Sequence, residues 1–296
     1  MNAQVTVGIP AYNGAATLRR AVESILRQTH TPCLIHISDD ASTDATEEIG
    51  RMLADEYSNV TYTRQPTNLN HHGNFRFVLG QAQTPYFMWL AGDDYLDPNY
   101  VERTLAVLES DPTVVTCVSR VRFVRADGTE RIATGTYPLM GSKIANIAAY
   151  LSNPSDNSRL FGLHRTMPLQ QAFSTVDFLI AYDWAVMAGT LMHGRHAEIP
   201  EILLVRDETP GRAYVEMVRR NVGSPLQRGL PVLRMTGNLV RCQKIPLCVP
   251  TLKALVAINM AQHIWYMRVY HPWYRGFGTF LERYVVWRLT TPPMPT

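Results

Sequence analysis

The sequence predicts an α/β fold built on a mostly parallel sheet, and three observations carry that expectation. Short β-type apolar runs alternate with stretches of helical periodicity through the first 118 residues. The run at 86–90 is wholly apolar or aromatic, as in a strand covered on both faces. The chain is 296 residues long, 46% hydrophobic and 18% charged, which suffices to bury a full core.

Taken in order, Val5-Thr6-Val7-Gly8-Ile9 reads as a buried strand. Thr17 to Gln28 carries Leu18, Ala21, Val22, Ile25 and Leu26 on one helical face. Cys33 to Ile37 is a second strand, entered through Pro32. Ser42-Thr43-Asp44 offers caps for a helix to about Tyr57, with Ile49, Met52 and Leu53 expected to face inward. Val60 to Arg64 is a third strand, and Asn74 to Gln83 a helix with Phe75, Val78, Leu79 and Ala82 on one side. Tyr86 to Leu90 is the fourth strand, Pro98 opens the next helix, and Val114 to Val118 is the fifth strand. From Met140 to Thr175 the pattern blurs into a loop-rich stretch around 152–158.

Ligands of such sheets bind beyond the carboxyl ends of the strands. Strand one ends in Pro10-Ala11-Tyr12-Asn13, strand two in Asp39-Asp40, and strand four in Gly92-Asp93-Asp94. Two carboxylate pairs and an asparagine therefore converge on one edge. Adjacent acids repel unless a cation or hydrogen-bond donors offset them. Hard cations such as Mg²⁺ or Mn²⁺ take one or two carboxylates and complete their shell with phosphate and water. The plainer alternative for Asp93-Asp94 is an N-cap, since Pro98 follows closely. For the second pair, Ser42 or Asp44 could cap the following helix, which leaves Asp39 and Asp40 without an expected structural task.

In order and spacing, Pro10-Ala11-Tyr12-Asn13, Ser24-Ile25-Leu26-Arg27-Gln28-Thr29, Ile37 to Asp44 and Gly92 to Pro98 resemble the family 2 glycosyltransferases. The resemblance is strong from Val5 to Val118 and looser through Arg206. It implies a GT-A, Rossmann-like nucleotide-sugar-binding domain over 1–209, with a donor half to about 118 and an acceptor half over 119–209. A basic, aromatic-rich helical tail follows over 210–296. It further implies transfer of one sugar from a nucleotide donor to a hydroxyl with inversion, aided by Mn²⁺ or Mg²⁺, in making a surface polysaccharide or glycolipid. Carried over by position, Pro10, Ala11, Tyr12 and Asn13 would bind the nucleotide, and Asp40 would reach the base. Asp93 would take the ribose or the metal's water shell, and Asp94 the metal itself. Ala91 stands where many relatives have an acid, which leaves the division of labour between Asp93 and Asp94 open.

Inverting transfer needs a base to take the acceptor hydroxyl's proton. The resemblance places that acid at the start of a later helix, where Asp183 in Ala181-Tyr182-Asp183-Trp184 fits best and Asp177 is the rival. Arg159 to Arg165 resembles the segment leading into the acceptor region; His164 there is expected to be a packed core histidine rather than an acceptor contact. His71-His72 reads as loop residues near the donor and not as a shared metal site.

Several classes are excluded. No GxGxxG follows the first strand, and no GxxxxGK[ST] or GxSxG occurs. The four cysteines form no CxxC, so neither a zinc site nor a disulfide framework is expected and a reducing cytoplasm fits. No secretory leader is visible, and Leu252 to Val269 is too polar for a simple membrane span.

Charge is lopsided. From Thr209 onward there are 12 Lys and Arg against Glu216 and Glu282, a balance of +10, while the first 208 residues carry −7. The tail interleaves Trp265, Tyr266, Tyr270, Trp273, Tyr274, Phe277, Phe280, Tyr284 and Trp287 with Arg268, Arg275, Arg283 and Arg288. That mixture suits a peripheral contact with an anionic membrane carrying a lipid-linked or glycan acceptor. The alternatives are packing on the body or an oligomer contact; the acidic body argues against nucleic acid. The rival class for the whole chain is a non-catalytic nucleotide-sugar or glycan-binding protein that retains the fold.

Overall fold

A computed structural model of the chain describes residues 3–30, 32–177, 180–208 and 230–270. The sheet begins with β1 (Val5–Ala11), β2 (Cys33–Asp39), β3 (Val60–Arg64) and β4 (Tyr86–Trp89), all parallel. Val5 lies opposite both Cys33 and Tyr86, so the carboxyl ends of β1, β2 and β4 open on one edge. The further strands are β5 (Tyr95–Leu96), β6 (Val114–Val124), β7 (Glu130–Ile132), β8 (Leu163–Arg165) and β9 (Arg195–Asp207). The order is β3-β2-β1-β4-β8-β6-β9-β5, with β7 on the side of β6. β8 runs antiparallel to both β4 and β6, and β9 runs parallel to β6. The end of β9 therefore faces the same edge as the ends of β1, β2 and β4.

The five strands expected from the sequence are present. β5, β7 and β8 are only two or three residues long, too short to show a period, and β9 was not anticipated as a strand. Helices α1 (Leu18–Leu26), α2 (Thr46–Glu56), α3 (Asn70–Gly80) and α4 (Tyr100–Ser110) cover the donor half. Gly8 is required where α3 meets the sheet: a Cβ there would lie 2.9 Å from the Phe87 ring.

Three expectations about these helices need correction. Met52 is 45% exposed rather than inward, because the buried stripe of α2 runs through Thr46, Gly50 and Leu53, and Met52 sits a residue off it. α3 starts four residues before Asn74, so His71 and His72 belong to its first turn and not to a loop. α4 starts at Tyr100; Pro98 lies in the preceding turn, where Asp97 accepts the Asn99 N–H at 3.0 Å.

The acceptor half adds α5 (Lys143–Ser152), a 3-10 turn at Ser158–Phe161, α6 (Thr166–Ser174) and α7 (Tyr182–Thr190). Beyond the undescribed 209–229, α8 (Leu233–Arg241) packs on α7 and α9 (Val249–Tyr270) packs along α5. Val232, Met235, Leu239, Ala254, Leu255 and Ile258 are buried in the same hydrophobic core as the sheet. This part of the tail is thus built into the body. The division at 209/210 and the aromatic and basic residues from Trp273 to Arg288 lie outside the described residues. No helix among the described residues is long and apolar enough to cross a membrane.

Candidate active site

The turn after β1 is locked to the turn after β2. Asn13, at φ 51°, donates its N–H to Ser42 Oγ at 2.9 Å and accepts the Thr43 N–H at 2.8 Å. Pro10 and Ala11 end the strand, and Tyr12 projects from the turn 56% exposed. Exposed on a fixed turn, its ring can stack on a flat ligand.

Asp39 does have a structural task. Fully buried, it accepts the Ser42 N–H at 2.9 Å on one oxygen, and the Tyr62 hydroxyl at 2.7 Å and Arg64 Nη1 at 2.8 Å on the other. Burial alone would raise its pKa, but these donors together hold it below the usual carboxylate range. The sequence could not reveal this, because Tyr62 and Arg64 arrive from a neighbouring strand. Asp40, also buried, accepts the Leu69 N–H at the entry to α3. Burial raises its pKa, and the adjacent Asp39 adds to the rise.

The turn after β4 presents Asp93 half-buried and Asp94 only 1% exposed. Asp94 Oδ2 accepts Arg206 Nε at 2.8 Å, and its Oδ1 accepts the Asp207 N–H at 3.2 Å. The Arg206 guanidinium is sandwiched over the Phe161 ring at 3.8 Å. Even so, burial pushes Asp94 up to about 6. Asp93 is likewise raised, mainly by burial, with the Asp207 carboxylate contributing. Arg20 ties the turn together through the Asp93 carbonyl and, at 2.8 Å, Asp207 Oδ2. Arg206, Asp207 and Arg20 were not singled out by the sequence; the one available signal was the charged pair ending an apolar run at 202–205.

Among the described residues no three His, Cys, Asp or Glu side chains form a metal cage. The donor chemistry nevertheless fits a hard cation that takes one or two carboxylates and draws its other ligands from a diphosphate. Asp93 is the open member of the pair. Asp94 would have to share its oxygens with Arg206 and the Asp207 N–H.

Asp183 is the second residue of α7 and half-buried. Its Oδ2 accepts Asn157 Nδ2 at 2.8 Å, and Asn157 Oδ1 in turn accepts the Tyr150 hydroxyl at 2.7 Å. Arg159, fully buried, lies over the Tyr150 ring at 5.2 Å and fixes the base of this relay. Enclosure raises the Asp183 pKa against the lowering effect of Asn157 and the Trp184 N–H. Asn157 and Ala181 both hold positive φ, 48° and 58°. A non-glycine residue is seldom found there unless its surroundings impose it, and such positions cluster at functional sites. Asp177 is exposed in the loop before α7. Asn157 and Tyr150 escaped the sequence reading because their link to Asp183 spans the acceptor half.

The histidines take other places. His164 is buried between Thr116 Oγ1 at 2.9 Å and the Leu160 carbonyl at 3.0 Å, and burial pushes it down to about 4. It is a packed core residue, as expected. His72 Nε2 lies 3.1 Å from the Val176 carbonyl, and His71 pairs with the Tyr182 hydroxyl, so the first turn of α3 anchors the loop that leads to α7.

Over 125 residues the chain is 33% identical to the chondroitin synthase of Pasteurella multocida, covering 42% of this chain and 13% of that protein. The chain spans less than half the length of the curated relatives it matches. Among solved structures it resembles S. aureus TarS 1-349 in complex with UDP-GlcNAc, with a TM-score of 0.58 at 14% identity over 89% of this chain and 81% of that one. The mannosyltransferase PcManGT of Pyrobaculum calidifontis, in complex with GDP-Man and Mn²⁺, gives 0.51 at 15% identity over 97% and 83%. The fold is therefore GT-A. Residues 6–171 match the model of glycosyl transferase family 2, more than half of the chain, and the chain belongs to that family.

Proposed function

We propose that the chain transfers a single sugar, with inversion, from a nucleoside diphosphate-sugar to a hydroxyl of a glycan or lipid-linked acceptor. The observation that carries this reading is Asp183, held by Asn157 at the wall of a cavity. Burial raises its pKa, which makes it a better proton acceptor than an ordinary carboxylate.

In this mechanism Tyr12 stacks on the base, Asp40 accepts from its edge, and Asp93 takes the ribose. Asp94, with Asp93, would hold Mg²⁺ or Mn²⁺, which would neutralise the charge gathering on the departing diphosphate. Asp183 takes the acceptor proton as the hydroxyl attacks the anomeric carbon from the far side. The nucleotide-sugar and Mn²⁺ complexes of TarS and PcManGT support the donor class and the metal. The four cysteines, all free thiols, fit a cytoplasmic enzyme.

The test is nucleotide release by the full chain from a panel of UDP- and GDP-sugars with Mn²⁺ or Mg²⁺. Asp183→Asn should lower transfer by ~10²-fold or more with donor affinity unchanged. A chain that binds a donor but never turns it over would be a binding protein. A normal rate in Asp183→Asn would move the role to Asp177.

A further inference from the structure

The cavity beside Asp183 has a second wall that comes from the late helix α9. It holds about 360 Å³ and is lined by Ser155, Asp156, Ala181, Asp183 and Trp184 on the body, and by Gln262 and Trp265 of α9. Those two α9 residues are three apart and so share a helix face. The position of that face is set by the buried residues of α9, Ala254, Leu255 and Ile258, in the common core.

Much of the polar lining is already engaged. Asp156 Oδ1 accepts the Ser158 N–H at 3.1 Å and hydroxyl at 2.6 Å, and its Oδ2 accepts the Thr134 N–H at 2.8 Å. Asp183 gives Oδ2 to Asn157. A ligand in the cavity meets the Trp184 and Trp265 side chains, the Gln262 amide and the Asp183 carboxylate. Two carboxylates disfavour an anionic occupant, and a lipid chain would offer the Gln262 amide and the Asp183 carboxylate no polar partner of its own. A pyranose meets every requirement: its C–H face covers an indole, and its hydroxyl rim pairs with amide and carboxylate. The volume lies near the lower end of the ~300–1,000 Å³ range of small-molecule sites, which suits a short sugar rather than a polymer segment.

We propose that Gln262 and Trp265 of α9, together with Trp184, form an acceptor subsite that takes a neutral pyranose ring and selects the acceptor. The word acceptor rests on the reading of Asp183 as the base; sugar binding in the cavity does not. The probes are the methyl pyranosides of glucose, galactose, mannose and N-acetylglucosamine, titrated against the full chain by saturation-transfer NMR. UDP and GDP affinities are measured in parallel by calorimetry.

At least one glycoside should bind, and Trp265→Ala should weaken it by about tenfold, the scale of one aromatic contact. Trp265→Tyr should hold the loss to a few-fold, and Gln262→Ala, which removes no ring, should weaken binding measurably. Nucleotide affinity and melting temperature should stay put in all three variants. Failure of all four glycosides to bind would overturn the proposal. So would binding undiminished in Trp265→Ala and Gln262→Ala, or an equal loss in Trp265→Tyr. Glycoside binding without turnover of any donor removes the transferase reading and leaves this one standing. Donor turnover without glycoside binding does the reverse.

Discussion

Asp94→Asn separates what a carboxylate costs the fold from what it does for the reaction. In the folded chain burial raises Asp94 to about 6, against an ordinary value of 3.8. A pKa raised on folding means the folded state holds this proton more tightly than the unfolded one. The resulting stability is fully present below about pH 4 and is lost as pH rises through about 6. At ~1.36 kcal/mol per pH unit the whole rise corresponds to about 3 kcal/mol, of which roughly 1 kcal/mol falls between pH 5 and pH 7. Asparagine does not titrate. Whatever constant amount is lost with the Arg206 and Asp207 contacts, the variant should gain on the wild type by roughly 1 kcal/mol from pH 5 to pH 7, or about 2 °C in Tm. Thermal and urea unfolding of both proteins in excess chelator at pH 5, 6 and 7 measures this directly. Sugar transfer with Mn²⁺ should be abolished in the same variant. An identical stability difference at pH 5 and pH 7 would refute the reasoning, since Arg206 would then hold Asp94 in the ordinary range. Full transfer activity would refute its functional role.

Asp39→Asn should behave oppositely: its pKa is depressed, so its contribution is present above the unfolded carboxylate range and is lost as pH falls through its folded value. Leaving Tyr62 and the one-third-exposed Arg64 without the charge should lower stability at neutral pH by urea unfolding, and a penalty that persists unchanged in acid would count against the ion pair. Asn157→Ala should lower kcat and move the acid limb of the pH–rate profile upward, because Asp183 loses a donor that stabilises its charged form; an unmoved limb would make Asn157 merely structural. Tyr12→Ala should weaken nucleotide binding by about tenfold, on the scale of base–aromatic stacking, with little change in Tm because the ring is exposed; calorimetry with UDP and GDP decides. The basic balance of the tail, +10, should make the full chain pellet with anionic vesicles at low salt and release at high salt; indifference to anionic vesicles would leave packing on the body as its role.

The donor half was legible in the sequence because its information is local. A buried parallel strand announces itself as an apolar run, an amphipathic helix as a 3.6-residue period, and both recur in order from Val5 to Val118. The strand ends then place Tyr12, Asp40, Asp93 and Asp94 on one edge without further knowledge, because parallel strands with crossover helices all end on the same side. The acidic body and basic tail were equally plain.

Only the tertiary structure decided what those charges meet. Asp39 looks idle until Tyr62 and Arg64 arrive across a strand pair, and Asp94 looks like an open ligand until Arg206 arrives from a strand more than a hundred residues later. Asp183 was named as a base candidate from the family resemblance, but Asn157, Tyr150 and Arg159, which hold and tune it, come from a stretch where short elements and positive-φ turns erase any period. Trp265 and Gln262 are the extreme case. In the sequence they belong to a helix whose pattern speaks of packing or membranes. They become part of a cavity beside Asp183 because α9 lies along α5, and that contact is written in burial across the chain rather than in any local spacing.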